Sequence, residues 1–200
     1  MSRINKEGMF EDPRVFQQRF SFIEHGNLER VRAIVIHQTD SDTTDSTFNA
    51  YRSGGNGAHF LISRDGRIIQ TASILKKCYH VGRLIRSRCL ELGATSCKDA
   101  SLAKAMTLGW AARIKEVDRI ERKKDYPERF PVNSDSIGIE IVGRHINDSA
   151  YETLSAQQSE ALLWLLDLLY EHLSIGAGDV FRHPEVSYKH PGEAASAQWR

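Results

Sequence analysis

Eight histidines lie along the 200 residues, and their surroundings separate them chemically. His37 follows Val31-Arg-Ala-Ile-Val-Ile36, an almost wholly apolar, β-branched run of the kind that forms a strand covered on both faces. His183 follows a shorter run, Asp179-Val-Phe181, and His190 comes soon after it. The carboxyl ends of strands are where sites assemble in α/β sheets. Two imidazoles delivered there, with a third close behind, point to a metal, because catalytic zinc takes three protein ligands and leaves its fourth position to water. Ser136-Ile-Gly-Ile-Glu-Ile-Val-Gly143 reads as another strand, with Ile137, Ile139 and Ile141 on one face and Glu140 on the other. A carboxylate so placed suits a general base in metal-assisted hydrolysis. The same spacing also fits structural strand-end histidines and a solvated Glu140.

Several elements must position these groups. Asp40 to Ser46 is a polar loop able to cap a short helix running through Tyr51, and Ser53 to Gly57 is a glycine-rich loop. Ala58–Ser63 and Arg67–Ala72 read as short strands joined at Asp65-Gly66, a dipeptide that favours a tight hairpin. Ser155-Ala-Gln-Gln158 has the form of a capping box, after which Leu162, Leu165, Leu166, Leu169 and Leu173 make a buried helical stripe, with Gly176 as a stop. Leu84 to Pro131 differs in character. It is rich in Lys, Arg and small residues, and Leu102, Met106, Trp110, Ile114, Val117 and Ile120 recur at helical steps. This spacing predicts an inserted helical segment over residues 84–131, packed on the core of a single domain spanning residues 1–200.

Composition narrows the function classes. Hydrophobic residues are 40% and charged residues 26% of the chain, ordinary globular usage. The net charge of +1 argues against a nucleic-acid protein relying on bulk positive charge. The longest apolar stretch, Ala161 to Tyr170, is far short of the roughly 20 residues of a membrane span. No apolar segment of the signal-peptide kind is visible in Met1 to Gly26, which predicts a chain made in the cytoplasm. Cys78, Cys89 and Cys97 form no paired framework; Cys89 and Cys97 can bridge if the protein reaches an oxidising compartment.

Five blocks occur in a telling order: Ile34-Val-Ile-His37-Gln-Thr39, Ala58-His-Phe-Leu-Ile62 with Arg64-Asp-Gly66, Tyr79-His-Val-Gly82, Ser136-Ile-Gly-Ile-Glu140, and His183 through Pro191. Together they resemble the zinc-dependent N-acetylmuramoyl-L-alanine amidases, over roughly residues 30–82 and 133–192. The resemblance leaves the first 28 residues and the 84–131 segment unaccounted for. It implies an α/β fold, a central mixed sheet flanked by helices, with one zinc in a groove that takes a glycan and its peptide stem.

By this resemblance His37 and His183 are the first two zinc ligands. The third position, usually Asp or Cys before a proline, is held by His190 before Pro191. The family lysine stands two residues ahead of that ligand, whereas Lys189 is immediately ahead of His190, so Glu185 is the alternative third ligand. Ala58 occupies the place of a catalytic tyrosine and Glu140 that of a catalytic glutamate, which resembles the glutamate-dependent branch. Lys189 would stabilise the oxyanion, and His80 and Asn133 would contact substrate. His59 follows core alternation and reads as packed. The implied reaction is hydrolysis of the amide between N-acetylmuramic acid and L-alanine in peptidoglycan or muropeptides. A non-catalytic muropeptide-binding module and a zinc peptidase acting within the stem are the rivals. The long insertion favours a lysin or an effector exported without a signal peptide over a compact recycling enzyme; an effector would bring an immunity or secretion partner.

Overall fold

The computed structural model describes residues 2–93, 97, 100–147 and 149–200. Six strands form a mixed central sheet: β1 (Val15–Gln17), β2 (Ala33–Gln38), β3 (Phe60–Ile62), β4 (Ile68–Gln70), β5 (Ser136–Ile141) and β6 (Val180–Arg182). Their spatial order is β6-β2-β5-β3-β4-β1. β6, β2, β5 and β3 run parallel, β4 returns antiparallel from β3 around Asp65-Gly66, and β1 lies parallel to β4 at the edge. The helices are α1 (Thr44–Ser53), α2 (Arg88–Glu91), α3 (Ala100–Met106), α4 (Trp110–Glu121), α5 (Ala156–His172) and α6 (His183–Val186). This is the mixed sheet flanked by helices that the resemblance implied. None of the described helices is long and apolar enough to cross a membrane.

Strand alternation divides the sheet into a packing face and a working face. Ile34 and Ile36 of β2 and Ile137, Ile139 and Ile141 of β5 meet Leu162, Leu165, Leu166 and Leu169 of α5 in the main core. Fully burying such a side chain contributes about 1.5–3 kcal/mol, so this layer holds the two central strands in register. On the opposite face the register sets Val35 beside Gly138 and His37 beside Glu140. The capping box of α5 forms as read, Ser155 accepting from the Gln158 N–H and Gln158 accepting from the Ser155 N–H. The helix ends at His172, before Gly176, because Leu173 already has extended backbone angles.

The amino-terminal residues supply the sheet edge and part of its core. Arg3–Ile4 pairs with Phe10–Glu11, β1 pairs with β4, and Phe10 is fully buried. Gln70 ties the segment down, accepting from the Phe10 N–H (2.7 Å) and donating to the Gly8 carbonyl (2.8 Å).

The 84–131 segment is helical, though broken. The stripe from Leu102 to Ile120 predicted one continuous face, but α3 and α4 separate at Thr107–Gly109, where Gly109 is extended (φ −60°, ψ 155°). Glycine is a poor helix former, and the break turns Met106 and Trp110 outward, leaving each about half exposed (48% and 49%). Leu102, Ala105, Val117 and Ile120 pack together as a separate small core. Two bonds moor α4 to the chain below: Asp118 accepts from the Leu84 N–H (2.8 Å), and Arg122 donates to the Gly82 carbonyl (3.0 Å). Cys89 and Cys97 are disulfide-bonded with Cα atoms 5.7 Å apart, while Cys78 is free and buried. Residues 94–96, 98 and 99 of the segment lie outside the described residues.

Candidate active site

A cleft of about 600 Å³ opens on the working face of the sheet. His37, Glu140, His80, His183, Lys189 and Glu193 are among its lining residues. His37 sits next to last in β2, where the Ile34/Ile36 alternation turns it away from the core, and it is only 2% exposed. β6 ends at Arg182, and His183 opens α6 directly after it. The chain then turns through Pro191-Gly192, with the Glu193 N–H bonded to the His190 carbonyl (3.0 Å).

Three donor atoms converge. His37 Nδ1 is 2.8 Å from His183 Nδ1 and 3.5 Å from Glu193 Oε1, and His183 Nδ1 is 3.1 Å from the same oxygen. All three side chains are buried, and among the described residues they alone form a histidine and carboxylate group able to hold a metal ion. Burial, reinforced by His183, pushes the His37 imidazole down to about 4, so it is neutral at physiological pH. Burial would raise the Glu193 carboxyl, but its hydrogen bonds to His183 and His37 outweigh that and hold it well below the usual carboxylate range. A neutral imidazole and an ionised carboxylate are the states a metal ligand needs.

The structure separates the residues expected for the third ligand. His190 is not in the converging group: its ring packs on His145 (4.4 Å) and Tyr151 (5.7 Å), and its Nδ1 accepts from the Gly192 N–H (3.3 Å). Glu185 caps α6, accepting from the Arg182 N–H (2.6 Å) and pairing with the Arg182 guanidinium. Glu193 stands in the converging group instead. The signal for it was present, since it is the one acidic side chain after Glu185, but its distance beyond Pro191 hid it.

Glu140 lies on the working face opposite the isoleucines, as strand alternation required. Its Oε2 is buried without a hydrogen-bond partner among the described residues. Burial and then the negative Glu193 raise its carboxyl to about 8, while Lys189 pulls it back. Tyr51 of α1, not singled out from the sequence, stands on the same wall. It is buried, accepts from the Ala58 N–H (3.3 Å), and has its phenol pushed up by burial and by Glu140. Lys189 lines the cleft and is exposed.

The two expected substrate contacts are engaged within the protein. Asn133 accepts from the His80 and Val81 N–H groups (3.0 and 2.7 Å) and donates to the Val81 carbonyl (3.0 Å), which uses its amide to pin the 79–82 segment. His80 does line the cleft, but its Nδ1 lies 3.1 Å from His37 Nε2. His59 is fully buried, with Nδ1 accepting from the Gly138 N–H (3.1 Å) and Nε2 donating to the Lys76 carbonyl (2.8 Å).

Comparison with known proteins accords with this geometry. A crystal structure of AmpD, as a selenomethionine derivative, superposes with a TM-score of 0.60 at 17% identity, covering 96% of this chain and 93% of that one. The endolysin N-acetylmuramoyl-L-alanine amidase LysCS from Clostridium intestinale URNW gives 0.53 at 19%, covering 91% and 89%. AmpDh3 from Pseudomonas aeruginosa in complex with anhydromuramic pentapeptide gives 0.51 at 18%, covering 79% and 52%. At these identities the likeness shows a shared fold. A comparison with curated protein sequences finds no match. The family model for N-acetylmuramoyl-L-alanine amidases matches residues 27–196, from before β2 to beyond Glu193. The chain therefore belongs to the N-acetylmuramoyl-L-alanine amidase family, peptidoglycan hydrolases that cut the amide bond between N-acetylmuramic acid and the L-alanine of the stem peptide.

Proposed function

We propose that this amidase is zinc-dependent, with His37, His183 and Glu193 holding the metal, Glu140 as general base and Lys189 as oxyanion donor. The observation that carries the reading is the convergence of two buried imidazole nitrogens and one carboxylate oxygen, with the unpartnered Glu140 Oε2 lining the same cleft. Two imidazoles and a carboxylate form an established catalytic zinc set with a position left open. His190, expected from the sequence to be the third ligand, gives way to Glu193 because its ring is packed against His145 and Tyr151.

When bound, the metal supplies Lewis acidity, polarising the scissile carbonyl and making water a competent nucleophile near neutral pH. Glu140 Oε2 accepts a proton from the attacking water, and the same proton passes to the departing L-alanine amine as the carbon–nitrogen bond breaks. The products are the lactyl carboxylate and a free stem peptide. Raised to about 8 by its surroundings, Glu140 must lose its own proton first, and positive charge in the cleft, which Lys189 already provides, favours that loss. The Lys189 ammonium stabilises negative charge developing on the carbonyl oxygen.

The insertion bears on substrate choice. Trp110, at the start of α4, meets Tyr188 edge to face at 5.4 Å, and Tyr188 adjoins Lys189 of the cleft. Both rings are exposed, and Arg113 lies 5.0 Å from the Trp110 ring. An exposed aromatic ledge beside the cleft residue Lys189 is placed to influence the choice between cross-linked sacculi and small muropeptides. The Cys89–Cys97 bridge suits action in an oxidising space, as for a lysin or an effector exported by a signal-independent route, the latter with an immunity or secretion partner.

Mass spectrometry of digested sacculi, together with metal content, tests the reading. Stem peptides released with L-alanine at their amino terminus by a protein carrying about one zinc are expected. New ends within the stem would make it a peptidase, and binding without release would make it a non-catalytic module. Activity in a fully metal-free preparation would refute the zinc mechanism.

A further inference from the structure

We infer that His80 is a positioning residue for His37, fixing the proton of that imidazole on Nε2 so that Nδ1 is free to ligate, rather than a residue that contacts substrate. The inference rests on the ligand set proposed above.

A backbone carbonyl has a fixed hydrogen-bonding role, because it can only accept. His80 Nε2 lies 3.3 Å from the Ser136 carbonyl oxygen and 3.2 Å from Ser136 Oγ. A carbonyl only accepts, and the Ser136 hydroxyl already donates to the Val132 carbonyl (2.7 Å), so both oxygens offer lone pairs to His80. His80 Nε2 must therefore carry the proton, which leaves its Nδ1 bare. That bare nitrogen is 3.1 Å from His37 Nε2 and can only accept, so His37 carries its proton on Nε2. The remaining nitrogen, His37 Nδ1, then holds a free lone pair, and it is the one that converges with His183 Nδ1 and Glu193 Oε1. One carbonyl thus determines, through two imidazoles, the tautomer that ligation requires.

The surroundings of His80 are shaped for this task. A Cβ on Gly138 would fall 2.8 Å from His80 Cγ and 3.0 Å from its Nδ1, so the glycine of Ser136-Ile-Gly-Ile-Glu140 makes the bay in which the ring lies. The same Cβ would fall 3.1 Å from the Cβ of Ala58, so the small Ala58 borders that bay. Asn133 fixes the backbone that carries the ring. The His80 and His37 ring planes stand at 84° with centroids 5.2 Å apart, a separation that lets their facing nitrogens share one hydrogen bond.

Partners that orient a metal-bound histidine are worth roughly 10–100-fold in metal affinity. The test is zinc affinity by chelator competition in the full chain, with His37→Ala, His80→Leu, His80→Asn and Gly138→Ala beside the parent. His80→Leu should weaken zinc roughly 10–100-fold. His80→Asn, whose amide oxygen can stand near the position of Nδ1 and accept from His37, should restore most of that loss. Gly138→Ala should weaken zinc although His80 is still present. Imidazole nitrogen chemical shifts of the metal-free protein give a second readout that requires no variant to fold: both His37 and His80 should carry their protons on Nε2. Parental affinity in His80→Leu, with zinc lost in His37→Ala, overturns the role of His80 and leaves the ligand set standing. Parental affinity in His37→Ala overturns the ligand set and the inference with it. A proton on Nδ1 of His80 overturns the inference alone.

Discussion

Acidification should destabilise this fold through His59, a histidine with no part in catalysis. Both of its ring nitrogens are committed in the neutral form, Nδ1 accepting from the Gly138 N–H at 3.1 Å and Nε2 donating to the Lys76 carbonyl at 2.8 Å. Adding a proton would set an Nδ1–H against the Gly138 N–H in a fully buried site. Burial accordingly pushes the imidazole from 6.5 down to about 4. In the unfolded chain the ring takes up a proton near pH 6.5, so between pH 6.5 and 4 the unfolded state binds more protons than the folded one. Stability from this group is therefore fully present above pH 6.5 and is lost as the pH falls towards 4. A difference of roughly 2.5 pK units corresponds to about 3 kcal/mol in all, of which about 2 kcal/mol is gone by pH 5. Urea unfolding from pH 7.5 to 4.5 on the parent and on His59→Gln isolates it, because the low-titrating His37 and His80 act in the same direction in both proteins. The parent should lose about 2 kcal/mol more than the variant by pH 5. Equal losses, or a His59 that titrates near 6.5 by NMR in the folded protein, would refute the reasoning.

Glu140→Gln should keep the fold and the zinc while lowering turnover by about 10²–10⁴, and activity within a few-fold of the parent would return Glu140 to a structural role. Lys189→Ala should leave zinc bound and cut kcat by a smaller factor, read from steady-state rates on sacculi. Opening the Cys89–Cys97 bridge, which spans a sequence separation of 8, should cost about 2.5 kcal/mol by chain entropy. Urea unfolding of Cys89→Ser checks this, and an unchanged midpoint would show that the bridge does not restrain the unfolded chain.

The parts of the fold that repeat with a fixed period were legible in the sequence. Alternation placed Ile137, Ile139 and Ile141 against α5 and Glu140 on the other face, and Ser155 with Gln158 marked the start of that helix. His37 and His183 stood out because each follows an apolar run, though β2 continues through His37 to Gln38. Turn geometry was not legible. The path from His183 through Pro191-Gly192 decides which side chain enters the cleft, and proximity to a proline favoured His190 where the folded turn presents Glu193. Periodicity likewise joined Met106 to Trp110, while Gly109 parts the helix between them. The internal contacts of His80 and Asn133 are hydrogen bonds across more than 40 residues, which no local pattern records. β1 joined the sheet edge for the same reason, its partner β4 lying far along the chain.

The most direct test of the central claim is zinc stoichiometry and affinity of the purified chain with single alanine substitutions at His37, His183, Glu193 and His190. About one zinc per parent chain is expected, lost or sharply weakened in the first three variants and retained by His190→Ala. Zinc retained by Glu193→Ala and lost from His190→Ala would contradict the account.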